Sequence, residues 1–289
     1  AIAQITSITQ LPKSYAVWFL DIWGVLHNGV RPYSGAVQAC QKFRTGGGRV
    51  ILVSNSPRPR DGVARQLDDI GVPRDAFDAI LTSGDVSRAL IAAYDHASVF
   101  HLGPGRDLPV YQGLDVTLGP IEDARAVICT GLFDDDTETP DDYREFLATC
   151  NARGLEMVCV NPDLKVERGG RMIHCAGALA QAYENIGGRV VYAGKPHAPI
   201  YNAAFDMARD LVRVARHGQE GTPLQRRDIL AIGDGAKTDI AGALAFGLDA
   251  VYVASKVSMD DDEQLVEAAE RLFPAEGGRP VGVMRVLAW

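Results

Sequence analysis

Residues 16–25 read AVWFLDIWGV: an apolar run that stops at Asp21 and is followed by Trp23 and Gly24. Similar short apolar runs recur at Val50–Val53, Ala79–Leu81, Ser98–Leu102, Ala126–Cys129, Met157–Val160, Val190–Tyr192, Ile229–Ile232 and Ala250–Val253. A strand that is apolar on both faces is one that helices cover on both sides, so the pattern predicts a parallel α/β sheet. In such a sheet ligands bind beyond the carboxyl ends of the strands, which places Asp21 where a site belongs.

The intervening segments carry helical signals. Pro140 and two aspartates after Thr139 suit a first helical turn, and Tyr143, Phe146, Leu147 and Cys150 follow at i, i+3, i+4 and i+7. Gly46–Gly48 mark the stop of a helix that begins near Ser34 and leads into the strand at Val50.

The chain has 289 residues, enough for a large α/β domain that carries a smaller one. With 47% hydrophobic and 23% charged residues, disorder is excluded. A formal charge of −8 without any basic block argues against nucleic acid or an anionic membrane as partner. No run of ~18 apolar residues suggests a membrane span, and the opening AIAQITSITQL lacks the pattern of a signal peptide. Cys40, Cys129, Cys150, Cys159 and Cys175 form no C-x-x-C pair and read as reduced core thiols, so a cytoplasmic protein is expected. The oligomeric state is left open, a homo-oligomer included.

Four strand ends carry the chemistry. Asp21 offers a carboxylate that can attack phosphorus to form an aspartyl-phosphate, and Gly24 permits a tight turn beside it; the plain alternative is an aspartate ending a strand. At the end of the run ILVSN lie Ser54, Asn55 and Ser56, small groups able to donate to a phosphate oxygen or simply to punctuate a strand. Lys195, in Gly194-Lys195-Pro196, can neutralise an attacking carboxylate and a phosphoryl group, or be a solvated loop lysine. A P-loop is excluded because Pro196 stands where Ser or Thr should be. In the run GDGAKTD, Asp234 and Asp239 suit a hard divalent cation such as magnesium; Asp239 could also be a first-turn acid. These residues fall in two blocks, Asp21–Ser56 and Lys195–Asp239. The expectation is therefore a core of residues 1–86 and 192–289 interrupted by a domain of residues 87–191.

The ordered set Asp21, Ser54, Lys195 and GDGAKTD resembles the four motifs of haloacid dehalogenase-type phosphatases. The insertion between the second and third motifs resembles the class IIA branch, as do Asn161-Pro162-Asp163 and the stretch Cys175–Leu179; the resemblance spans about residues 15–255. It implies a Rossmann-like parallel-sheet core with an inserted α/β cap that excludes water. It further implies magnesium-dependent hydrolysis of a small phosphate ester: a sugar phosphate, nucleotide or aryl phosphate. Asp21 would be the nucleophile, and Ser54 and Lys195, with Asn55 beside them, would hold the phosphoryl group. Magnesium would be bound by the carboxylates of Asp21 and Asp234 and the backbone carbonyl of Trp23, while Asp239 would support the metal shell or orient Lys195.

One position departs from the family. Trp23 occupies the place of the second aspartate of the first motif, which protonates the leaving group and then activates water. Indole transfers no proton near neutral pH, and a general acid–base contributes ~10²–10⁴-fold. His27, His174 and His197 are candidate replacements, and the alternative function is a low-turnover or non-catalytic phosphometabolite-binding protein. Trp23 itself would either stack on a substrate ring or pack against the flap or cap. Three further motifs are set aside: Gly103-Pro104-Gly105, because Leu108 breaks the dinucleotide pattern; Asp134–Asp136, as a solvated acidic turn; and Asp260–Glu263, as an acidic helix start.

Overall fold

The computed structural model of the protein describes residues 2–168, 170–215, 222–254 and 264–289, so the segment Asp260–Glu263 lies outside the described residues. The chain opens with β1 (Ala3–Gln4), β2 (Val17–Leu20), α1 (Ser34–Thr45), β3 (Arg49–Ser54), α2 (Arg60–Ile70), β4 (Ala79–Thr82) and α3 (Ser83–Ala92). It continues through β5 (Ser98–Leu102), β6 (Thr117–Leu118), β7 (Ala126–Cys129), α4 (Arg144–Ala152), β8 (Glu156–Cys159), β9 (Lys165–Arg168), β10 (Arg171–His174), α5 (Ala176–Asn185) and β11 (Arg189–Tyr192). It closes with α6 (Ala198–Ala215), β12 (Ile229–Gly233), α7 (Ala241–Phe246), β13 (Asp249–Val253), α8 (Leu265–Leu272) and β14 (Gly282–Met284).

Two compact units result. The first comprises Ala1–Ser54, Ala64–Leu81 and Tyr201–Trp289, and the second Asn55–Val63 and Thr82–Ile200. The first holds a seven-stranded sheet in the order β1-β14-β13-β12-β2-β3-β4. β2 is parallel to both neighbours, with Leu20 opposite Ile232 of β12 and Leu52 of β3. Its four residues are all buried, as strands covered on both faces must be. From β2 the chain order runs outward through β3 and β4 on one side and through β12, β13 and β14 on the other, so the carboxyl end of β2 is the switch point at which such sheets bind ligands.

The second unit holds a five-stranded sheet, β11-β8-β7-β5-β6, and the antiparallel pair β9–β10. Side chains alternate across β7: Val127 and Cys129 pack in one cluster with Leu147 of α4 and Leu179 of α5, while Ala126 and Ile128 pack in another with Ile91 and Val158. All five cysteines are free and buried.

The second unit begins at Thr82, ends at Ile200 and also takes Asn55–Val63. Hydrogen bonds explain the capture of that segment. Gly84 N donates to Ser56 O at 3.0 Å, Arg60 N to Asp85 Oδ1 at 3.1 Å, and Asn55 bonds to Lys195.

Candidate active site

In the first unit the register of β2 against β12 brings two strand ends level, so Asp21 and Asp234 leave the sheet side by side. Asp21 N still donates to Ile232 O at 2.9 Å, which anchors the residue to the neighbouring strand. Beyond it the chain turns sharply. Leu26 N and His27 N both donate to Ile22 O, and Gly24 N donates to His27 O. Gly24 has φ +77, where a side chain is strained, and a Cβ there would lie 1.9 Å from Asp234 Oδ2. This glycine lets the loop after β2 approach the acidic loop after β12.

Asp239 joins them through a single π-helical turn, Ala236–Ile240, that precedes α7. Asp239 is 6% exposed, and its Oδ2 accepts from Gly235 N at 3.0 Å. From beneath, the Tyr201 hydroxyl bonds the carbonyl oxygens of Thr238 and Asp239 at 3.3 and 3.1 Å. Carboxylate oxygens of Asp21, Asp234 and Asp239 all lie within 4.8 Å of one another. Two such charges repel by about 3 kcal/mol at an effective dielectric constant near 20. A hard divalent cation with oxygen ligands removes that repulsion, so the donor set fits magnesium.

Ser54 is buried at the end of β3, the other neighbour of β2. Asn55 and Lys195 belong to the second unit and meet there. Asn55 Oδ1 accepts from Lys195 N at 2.7 Å, and Asn55 Nδ2 donates to Lys195 O at 3.0 Å and to Asp163 Oδ1 at 2.9 Å. Lys195 is 3% exposed and precedes a cis peptide bond to Pro196.

Trp23 packs on its own loop. A Cβ on Gly29 would stand 2.5 Å from the Trp23 ring, and the ring meets His27 edge-on, with centroids 4.9 Å apart. Packing within the flap after β2 therefore describes this side chain. His27 is 1% exposed, its Nδ1 accepts from Gly29 N at 2.9 Å, and burial lowers its pKa to about 4. The imidazole is therefore neutral near pH 7, which removes a protonated His27 as the replacement acid. His197 stacks on Tyr192 with centroids 4.5 Å apart, and burial lowers its pKa. Among the described residues the buried Nδ1 of His174 has no hydrogen-bond partner, and burial with the nearby Lys165 lowers its pKa.

The acidic turn Asp134–Asp136 is not simply solvated. The Asp135 side chain is 10% exposed and pairs with Arg106 and Arg168. Burial alone would raise its carboxyl, but the hydrogen bonds from Arg168 and Arg106 outweigh burial and hold it below the usual range. Gly103 of the discarded dinucleotide pattern is a close-packing position, where a Cβ would lie 2.0 Å from Thr130 Oγ1.

A parallel sheet with three carboxylates gathered around its switch point is the framework of a haloacid dehalogenase-type hydrolase. Residues 18–117 match the model of the haloacid dehalogenase-like hydrolase family, and residues 192–274 match a second, HAD-hydrolase-like model. A crystal structure of a haloacid dehalogenase-like family hydrolase from Brucella suis is 42% identical; it covers 98% of this chain and 99% of that one, with a TM-score of 0.84. The chain belongs to the haloacid dehalogenase-like hydrolase family, in its class IIA-like branch. It is similar to an acid sugar phosphatase of Staphylococcus saprophyticus, 22% identical over 257 residues, which are 86% of this chain and 90% of that protein. A glycerol phosphate phosphatase from Mycobacterium tuberculosis, crystallised with magnesium, shares the fold at 21% identity and a TM-score of 0.65, covering 97% of this chain and 76% of that one. Among the described residues no helix is long and apolar enough to cross a membrane.

Proposed function

We propose that the protein is a magnesium-dependent phosphatase that hydrolyses a small phosphate ester through an aspartyl-phosphate on Asp21. The observation that carries this reading is the meeting of the Asp21, Asp234 and Asp239 carboxylates within 4.8 Å at the carboxyl end of the central strand. The relatives that act on phosphate esters support it. In this reading residues 87–191 form the cap of a core made of residues 1–86 and 192–289, and substrate choice lies in the cap.

The carboxylates of Asp21 and Asp234, with the Trp23 carbonyl, would hold magnesium, and Asp239 supports that set from its buried turn. Bound there, the cation would screen the meeting of an anionic nucleophile with an anionic ester. Asp21 attacks phosphorus as the leaving oxygen departs, and water then cleaves the acyl phosphate to release phosphate and restore the carboxylate. Ser54 and Lys195 hold the phosphoryl oxygens as charge shifts onto them.

Trp23 sets the limit on this chemistry. Its indole neither protonates a leaving alkoxide nor activates water, so substrates whose leaving group departs without a proton are favoured: aryl and acyl phosphates before sugar phosphates and nucleotides. The same residue supports the second reading, a phosphometabolite-binding protein with little turnover.

The test is release of phosphate from 4-nitrophenyl phosphate and a sugar-phosphate panel with magnesium. Expected are turnover of the aryl ester, its loss in Asp21→Asn, and a gain on sugar phosphates in Trp23→Asp. No turnover of any ester, with activity appearing only in Trp23→Asp, overturns the enzyme reading in favour of binding. Phosphorylated acceptor in place of free phosphate would make the protein a phosphotransferase.

A further inference from the structure

The side chain of Asn55 has no donor to spare. An amide carries two N–H groups and one acceptor oxygen, and here all three functions are engaged. Lys195 N is a donor, so the atom 2.7 Å from it must be Asn55 Oδ1, which fixes the amide orientation. The nitrogen then faces two acceptors, Lys195 O at 3.0 Å and Asp163 Oδ1 at 2.9 Å. Asn55 is 4% exposed, so breaking either bond would leave a buried polar group unpaired.

The neighbours are shaped to this arrangement. A Cβ on Gly194 would lie 2.6 Å from Asn55 Oδ1 and 2.8 Å from Pro162 Cδ, so only glycine lets the amide close on the next residue. Asp163 is held in turn. Its N donates to Asn161 Oδ1 at 3.1 Å, and the Cys159 thiol at the end of β8 reaches Asn161 O at 3.4 Å. A continuous chain of hydrogen bonds thus runs from β8 through Asn161, Asp163 and Asn55 to the backbone of Lys195.

We infer that Asn55 is a positioning residue for Lys195, oriented by Asp163, and that its side chain does not itself contact the phosphoryl group. The inference rests on the reading in which Lys195 holds phosphate. Clamping both the N–H and the C=O of one residue fixes its backbone on either side of the Cα, and a small misplacement of a charged group is costly at a reacting centre.

The experiment is a cycle of affinities for inorganic phosphate, measured by calorimetry with magnesium, in wild type, Asn55→Ala, Lys195→Ala and the double variant. Loss of about tenfold is expected for Asn55→Ala, the size of a buried hydrogen bond, and no further loss once Lys195 is already alanine. A second pair guards against a simple folding defect. Asn55→Asp sets two carboxylates together and should weaken phosphate binding, and adding Asp163→Asn should recover the part owed to that pair but not the part owed to the lost donor to Lys195 O. Equal losses with and without Lys195, or an unaffected Asn55→Ala, would overturn the positioning role. A wild type that neither binds phosphate nor hydrolyses an ester would overturn the reading beneath it.

Discussion

A Cβ on Gly24 would lie 1.9 Å from the Oδ2 of Asp234, so the first and last acidic loops of the site fit together only because residue 24 has no side chain. Its φ of +77 adds a second reason, since side-chain-bearing residues are strained there. Gly24→Ala should destabilise the fold by about 1–3 kcal/mol. It should also raise the magnesium concentration needed for half-maximal activity, because Asp234 must move. Thermal unfolding and a magnesium titration check both effects, and an unchanged titration would separate Gly24 from the metal site.

His27 makes stability depend on pH. An unfolded histidine titrates near 6.5, whereas burial holds His27 at about 4 in the fold. Between those values the unfolded chain binds more protons, so the contribution is complete above about pH 6.5 and is lost as pH falls towards 4. Its ceiling is on the order of 3 kcal/mol. His27→Gln should flatten the fall in urea midpoint between pH 6.5 and 4; equal slopes in the two proteins would contradict the burial argument.

The strands were readable because helices cover them on both faces: Ser98–Leu102 and Ala126–Cys129 are apolar runs in sequence and strands with those bounds in the fold. The β9–β10 pair was not, because its residues are largely charged and only Ile173 is buried, so no alternating apolar face marks it. The carboxylates of the site are visible at strand ends, where a parallel sheet puts its chemistry. Asn55 shows only as a polar strand end, since the partner that occupies it lies 140 residues away. Asp135 reads as part of a solvated turn because its arginine partners come from positions 29 and 33 residues distant. Trp23 is legible as a missing acid, but its packing on Gly29 depends on how the loop folds back.

Asp135 gathers two arginines while almost buried, so removing it leaves Arg106 and Arg168, among the described residues, with only Asp136, 3.9 Å from Arg168, as an ion-pair partner. Asp135→Ala should cost about 1–2 kcal/mol, between an exposed pair and a buried one, because both arginines keep access to water. Chemical denaturation measures this. A change under 0.5 kcal/mol, the range of an ordinary surface substitution, would show that the arginines find other partners.

Magnesium should stabilise the fold as well as support turnover. At a concentration about 100 times its dissociation constant, a ligand bound only by the native state adds about 2.7 kcal/mol. For a chain of this size that should raise the melting temperature by about 5 °C. Asp234→Asn should abolish most of the shift, and chelation should reverse it in wild type. An identical melting temperature with and without the cation would argue against a metal site at the three carboxylates.

The central claim is that Asp21 takes up the phosphoryl group, and mass spectrometry of the acid-quenched enzyme reads it directly. During turnover of 4-nitrophenyl phosphate with magnesium, the peptide containing Asp21 should carry a phosphoryl adduct that is absent in Asp21→Asn. With Trp23 unable to activate water, the adduct should accumulate in wild type and diminish in Trp23→Asp, where its breakdown is faster. Phosphate released with no adduct on that peptide, or an adduct on another residue, would contradict the account.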